Sequence, residues 1–198
     1  MGLDLEYING QTPIEEEEKE ELKIKTISTR GELDEFEQAN IEKAIEWSLK
    51  RNPTIKKILT VGFIREVHLR MFDEVWGWAG KFRNTNKNIG VDKYQIELEL
   101  TKLMGDCEFW VENETFPLDE IALRFKHRLV AIHPFPNGNG RHSRLCADIL
   151  ISKGFKNEIF SWGSENLSNQ SETRTEYLNA IYKADNGSYK PLLEFARK

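Results

Sequence analysis

Apolar positions recur along most of this chain at spacings of three and four, the signature of helices that bury one face. Over 29–49, Leu33, Phe36, Ile41, Ala44, Ile45 and Leu49 trace such a stripe, and Asn52-Pro53 ends it. Over 54–72 the stripe passes through Ile55, Ile58, Leu59, Phe63, Val67, Leu69 and Phe72 until Gly77 and Gly80 break it, which predicts a second helix. Two more follow over 96–111 and 118–132, the latter with Ile121, Phe125, Leu129 and Ile132 on one side. Pro134 disfavours helical backbone at the residue before it, so that helix should close with His133 extended. Helical spacing returns over 141–152, ended at Gly154, and again over 172–182 and 189–196. Between 81 and 95 the period is lost. Asn84, Asn86, Asn88 and Gly90 gather there beside Ile89 and Val91, which predicts a loop or a small hairpin. At the start, Thr12-Pro13 offers a helix entry, and the acidic run 15–21 suits the positive end of a short, solvated helix. The fold class is therefore mainly α with one small hairpin at most, divided into an N-terminal arm over 1–27 and a domain over 28–198.

Composition narrows the function classes. A length of 198 residues is one domain's worth, and 39% hydrophobic with 11% aromatic residues supplies a core. Twenty-eight basic against 33 acidic side chains give a net charge of -5, which argues against broad attachment to nucleic acid or anionic lipid. The longest apolar run is four residues, 129–132, and the first residues lack a basic end followed by an apolar stretch. Neither a membrane span nor a secretory signal is expected. Cys107 and Cys146 form no CxxC pair, so a reducing, cytoplasmic setting without redox chemistry is the expectation.

The chemistry concentrates in 133–144, His-Pro-Phe-Pro-Asn-Gly-Asn-Gly-Arg-His-Ser-Arg, a loop that opens a helix. Gly138 and Gly140, separated by Asn139, let successive N–H groups converge on an anion, and the helix start adds its positive dipole end. Arg141 and Arg144 stand three residues apart, so both guanidinium groups project from one side of the first turn and suit a polyphosphate. His133, with an ordinary pKa near 6.5, is a candidate acceptor for the proton of an attacking hydroxyl. Each residue also has a plain structural role open to it: the glycines a tight turn, the arginines a solvated face, Phe135 a core anchor. Gly138-x-Gly140 follows a helical element and so does not belong to a dinucleotide-binding strand, and there is no Walker A sequence.

This stretch resembles the signature of the Fic family, HxFx(D/E)GNGRxxR, at every position except Asn137. The similarity extends to Trp78-Ala79-Gly80-Lys81-Phe82-Arg83 and Asp185-Asn186-Gly187-Ser188-Tyr189-Lys190-Pro191-Leu192. Within the family, Thr29-Arg30-Gly31-Glu32-Leu33, Asn88-Ile89-Gly90-Val91-Asp92 and His133 to His142 resemble the subgroup called mobile mystery protein B, which tends to be paired with a small helix-turn-helix protein. The resemblance implies a helical bundle with a β-hairpin flap that uses ATP to attach AMP to a Ser, Thr or Tyr hydroxyl of a target protein. It implies His133 as base, Gly138, Asn139 and Gly140 as the phosphate cradle, and Arg141 and Arg144 on the outer phosphates. Tyr177 falls at a position used around the adenine, and Asn88, Ile89, Gly90, Val91 and Asp92 fall in the target-docking flap. Relatives with lysine in place of Arg141 show phosphotransferase behaviour, so Arg141 points to nucleotidyl transfer.

Two features of the resemblance divide the functional readings. Family members supply a carboxylate to Mg²⁺ where this chain has Asn137, whose amide oxygen carries no charge. A catalytically weak nucleotide-binding or regulatory module therefore stands beside the adenylyltransferase reading, and phosphotransfer in the same pocket is a third. Fic proteins are also restrained by a glutamate in (S/T)xxxE(G/N) that pairs with the second motif arginine. Ser28 to Glu32 matches its first five positions with Leu33 at the sixth, which makes Glu32 a possible autoinhibitory partner of Arg144 beside a plain helix-start role. His142 and Cys146 are one turn apart without further ligands and predict no metal site. His68 and His127 read as structural, and the five tryptophans as core rather than a stacking platform for nucleic acid.

Overall fold

The computed structural model describes residues 13–163 and 170–198, so Thr12 of the expected helix entry lies outside the described residues. Among them the secondary structure is helical: α1 (Glu16–Glu20), α2 (Arg30–Leu49), α3 (Ile55–Ile58), α4 (Val61–Phe72), α5 (Ile96–Glu112), α6 (Leu118–Ile132), α7 (Asn139–Ile149), α8 (Gln170–Asp185) and α9 (Lys190–Arg197). A 3₁₀ turn, Lys93–Gln95, leads into α5, and a π turn, Leu150–Gly154, extends α7. The core is shared by α2 on α4, α5 on α6, α6 on α7, and the α8/α9 pair on α6.

Helix starts follow local chemistry. Thr29 caps α2 by accepting the Glu32 N–H while the Glu32 carboxylate takes the Thr29 N–H, a reciprocal capping box. The stretch 54–72, expected as one helix, is two. Leu59 leaves the helical region (φ -83°, ψ 52°), and the Thr60 hydroxyl restarts the chain by accepting the Phe63 N–H at 3.1 Å and donating to the Lys57 carbonyl at 2.9 Å. On α2 the period holds but the phase differs from expectation. The inward stripe is Leu33, Glu37, Asn40, Ile41, Ala44 and Ser48, leaving Phe36, Ile45 and Leu49 exposed.

No strand forms between 81 and 95, so the expected hairpin flap is a loop. Its carbonyls turn toward one buried guanidinium instead of pairing with each other. Arg83 donates to the carbonyls of Thr85 at 2.7 Å, His133 at 2.7 Å and Val91, and Gly90 takes a left-handed conformation (φ 101°). Asn86 and Asp92 close the base of the loop at 2.9 Å. Residues 13–27 lie along this region, with Ile14, Leu22 and Ile27 in the core and Lys87 of the loop, its side chain 2% exposed, paired with Glu18 at 2.7 Å. A single antiparallel bridge joins Leu22 to Trp76.

Candidate functional site

The site forms where α6 ends and α7 begins. His133 terminates α6 in the left-handed region (φ 54°, ψ 59°) rather than extended, its N–H still bonded to Leu129 at 3.3 Å. Pro134 excludes the right-handed helical basin, and the left-handed cap meets that restriction while turning the chain sharply. Phe135, fully buried, anchors the loop and stacks on His68 with ring centroids 3.7 Å apart. His68 is held as a single neutral tautomer: Nδ1 accepts the Gly80 N–H at 3.0 Å and Nε2 faces the Asn137 carbonyl at 3.1 Å. Burial lowers its pKa well below 6.5, in keeping with that neutral form.

The three cradle residues have separate roles. Gly138 has φ 75°, and a Cβ there would meet the Phe72 ring at 2.4 Å, so glycine is required by backbone and packing alike. Asn139, buried, spends its side chain on the loop: Oδ1 accepts the Phe135 N–H at 3.0 Å and Nδ2 donates to the Phe135 carbonyl at 2.8 Å. A Cβ on Gly140 would touch nothing within 4 Å. Packing does not demand glycine at 140, whereas close approach of a ligand to the backbone would. The amides of residues 139–141, first in α7, have no partner within the helix, an arrangement suited to an anion.

Both motif arginines stand at this end. Arg144 lies over the Tyr177 ring at 4.2 Å and near that of Trp162 at 5.7 Å, and its buried Nε lacks a hydrogen-bond partner. Arg141 lies over Phe72 at 5.1 Å and pairs with Glu37 at 2.7 Å. The structure thus brings Tyr177 to Arg144, with Lys126, fully buried, bonded to the Tyr177 hydroxyl. These cations hold the phenol's pKa below its ordinary value against the opposing effect of burial. Lys126 and Glu37 were missed in the sequence because each sits on a stripe read as apolar.

His133 is 5% exposed under the loop that carries Gly90, where a Cβ would stand 2.7 Å from the His133 Cβ. Burial, reinforced by Arg83 and Lys87, lowers its pKa to about 4. The Val130 carbonyl opposes that shift without overcoming it. At neutral pH the imidazole is uncharged. Of the flap residues, the Val91 N–H bonds the Ile132 carbonyl at 3.3 Å, the Tyr94 N–H bonds Asp92 at 2.9 Å, and Ile89 is 48% exposed beside Asn88 and Gly90.

The structure does not bring Glu32 to Arg144. Its carboxylate accepts the N–H groups of Ser28 at 2.9 Å and Thr29 at 3.0 Å and the Ser28 hydroxyl at 3.2 Å, and these bonds lower its pKa. No ion pair joins Glu32 to Arg144 among the described residues, and of the two roles open to Glu32 the helix-start one is present.

The residues present do not fit a carboxylate-held Mg²⁺. The Asn137 Oδ1 accepts the Gly138 N–H at 2.7 Å, and no group of three His, Cys, Asp or Glu is placed to hold a metal among the described residues. His142 instead faces the Ile64 carbonyl at 2.9 Å and Cys146 at 3.3 Å, both within the core. No described helix is long and apolar enough to cross a membrane. A concavity between α8 and α9 carries Glu172, Glu176 and Glu194, a wall unsuited to phosphate, and none of the motif residues.

Comparison with known proteins agrees with this geometry. The model of the Fic/DOC family matches residues 58–151. The chain is 29% identical over 147 residues to protein adenylyltransferase fic-1 of Caenorhabditis briggsae, covering 71% of this chain and 27% of that protein. It is 30% identical over 145 residues to protein adenylyltransferase Fic of Drosophila grimshawi, covering 69% and 28%. The chain thus spans little more than a quarter of the length of these curated relatives. Among solved structures, the N-terminal FIC domain of Bep8 from Bartonella sp. 1-1C superposes with a TM-score of 0.68 at 19% identity, covering 90% of each chain. BepC of Bartonella tribocorum, solved with bound AMPPNP, superposes with a TM-score of 0.66 at 17% identity, covering 92% of this chain and 97% of that one.

Proposed function

Because residues 58–151 match the model of the Fic/DOC family, we propose that the chain is a member and a protein adenylyltransferase that moves AMP from ATP to a hydroxyl side chain of a target protein. The observation that carries this reading is the convergence at the start of α7 of two arginines, unpaired helix amides and a neutral histidine. In the reaction the target hydroxyl oxygen attacks the α-phosphorus, the bond to the β-phosphate oxygen breaks, and pyrophosphate leaves. His133 accepts the hydroxyl proton. The α7 amides and the guanidinium groups of Arg141 and Arg144 bind the phosphates and meet the charge on the departing pyrophosphate, the positions where fixed donors are most effective. Tyr177, stacked under Arg144, lies beside the adenine. The loop around Asn88 to Asp92 receives the target segment.

Asn137 favours a second reading, a nucleotide-binding module with slow or no transfer, since it supplies no charge to a metal. The similarity of 29–33, 88–92 and 133–142 to the mobile mystery protein B subgroup supports a small helix-turn-helix partner, and the absence of any CxxC pair supports a cytoplasmic setting.

Incubation with host lysate and ATP labelled at the α- or the γ-phosphate tests the proposal. Label transferred from the α-position supports AMP transfer, and label only from the γ-position replaces it with kinase chemistry. His133→Ala is expected to cut transfer by about a hundredfold to ten-thousandfold while retaining nucleotide affinity. Equal transfer by the variant removes His133 as the base.

A further inference from the structure

Glu37 lies in α2, outside the residues matched by the family model, yet it reaches the proposed phosphate site. It is 2% exposed, and its two oxygens have different partners. Oε1 accepts the Trp76 Nε1–H at 2.6 Å, and Oε2 pairs with Arg141 Nη1 at 2.7 Å. Trp76 is fully buried and stacked on Trp78 at 4.9 Å, so the carboxylate is locked in place. One turn on, Asn40 fixes α2 to the end of α4, accepting the Glu74 N–H at 2.9 Å and donating to the Arg70 carbonyl at 3.0 Å. The Phe72 ring supports the guanidinium 5.1 Å away, and 38% of the Arg141 side chain remains exposed.

We propose that Glu37 is a positioning residue that holds Arg141 for polyphosphate binding, an inference that rests on the nucleotide-transfer reading of this site. An unrestrained arginine loses rotamer entropy when a ligand fixes it. Here much of that loss accompanies folding. Glu37 occupies one guanidinium nitrogen, and the remaining donors of the planar group stay available to phosphate oxygens. The Trp76 bond alone would be served by an amide. The second oxygen, aimed at Arg141, is what requires a carboxylate.

That difference defines the test. In Glu37→Gln the single carbonyl oxygen remains for Trp76, and the amide N–H₂ faces the guanidinium donors, so Arg141 is released at almost constant volume. Restricted rotation of the Arg141 guanidinium, read by NMR on the full chain, is expected in wild type and lost in the variant. ATP affinity measured by calorimetry should fall about tenfold in Glu37→Gln, and the Glu37→Gln/Arg141→Ala double variant should bind within about twofold of Arg141→Ala alone. A gain in ATP affinity or AMP transfer, an unchanged affinity with the fold intact, or losses that multiply in the double variant each overturn the positioning role. Should Glu37→Gln fail to fold, Glu37→Asp, which keeps the charge on a shorter arm, is expected to show a smaller loss, and unchanged affinity there overturns the role equally. Wild-type protein that binds ATP but transfers no AMP refutes the transfer reading, while the NMR and affinity results still decide the role of Glu37.

Discussion

Two irregular segments meet over His133, and each combines bonds within itself with bonds to remote groups in a different proportion. The loop 133–140 has side-chain bonds within itself, Asn139 to both backbone groups of Phe135, four residues away, and Asn137 to its neighbour Gly138, and His68 holds the Asn137 carbonyl from outside. The loop 83–92 closes on itself through Arg83 with Thr85 and Val91 and through Asn86 with Asp92, and it also takes bonds from a distance. Arg83 reaches the His133 carbonyl 50 residues away, and Lys87 reaches Glu18 across 69 residues. A bond across four residues or fewer forms with the loop itself, whereas one across 50 or more depends on the rest of the fold. The proposed phosphate-binding element carries short side-chain bonds, and the proposed target-receiving element reaches as far as Glu18.

The largest expected effect comes from glycine replacement in the first loop. Gly138→Ala combines a left-handed backbone with a 2.4 Å approach to Phe72 and should cost on the order of 3 kcal/mol, a fall of about 6 to 12 °C in Tm by calorimetry. Gly140→Ala meets no neighbour and should leave Tm within about 2 °C while weakening nucleotide binding at least tenfold. Similar melting of the two variants would erase the distinction between packing glycine and ligand glycine.

For the second loop, Lys87→Met strands Glu18, whose side chain is 7% exposed, and should destabilise by about 3 kcal/mol. Replacing both, as Lys87→Met/Glu18→Leu, should recover most of the loss. Hydrogen exchange should show faster opening of 83–92 in the single variant and no change at the Phe135 amide. Equal acceleration in both loops would mean that they open as one unit.

Acid should weaken the shared floor of the two loops. Burial holds His133 and His142 at about 4 and His68 well below 6.5, so the unfolded chain takes up protons before the folded one as the pH falls. Stability is complete above about pH 6.5 and declines toward pH 4, by up to about 1.4 kcal/mol per pH unit for each histidine. Asp148, pushed up to about 6, binds its proton more tightly when folded and offsets one of them from about pH 6 down to 4. In kinetics the acid limb of kcat/KM should lie well below 6.5, and a midpoint near 6.5 would show that His133 is not buried in the active form.

The smallest effect is expected from Asn137→Asp, which keeps the acceptor for the Gly138 N–H and adds charge. It should lower the Mg²⁺ concentration for half-maximal AMP transfer with little change in Tm. Superimposable magnesium titrations would exclude metal coordination at 137 as the limiting step.

Helix bounds and the motif were legible from short-range signals. The bounds of α6 matched their expectation, and the helix-start role open to Glu32 is the one it takes in α2. The phase of α2 was not legible, because a stripe weighted by hydrophobicity selects Phe36 and Ile45 over Glu37 and Asn40. Those two polar residues turn inward because Trp76, Arg141 and the end of α4 supply their hydrogen bonds. Spacing of 33, 37, 40, 41, 44 and 48 was present as a signal once polar residues were allowed inside.

The sequence by itself determined the helical class, the glycine-rich loop that opens α7 and the residue types at 133, 141 and 144, since these depend on residue type and spacing within a dozen positions. Tertiary structure decided which of the two roles open to Glu32 holds, that 83–92 wraps a guanidinium instead of forming a hairpin, and that His133 is neutral with its pKa at about 4. Each of these outcomes is set by burial or by partners 50 or more residues away, or by a local bond competing with a remote one, and no local pattern records which partner prevails.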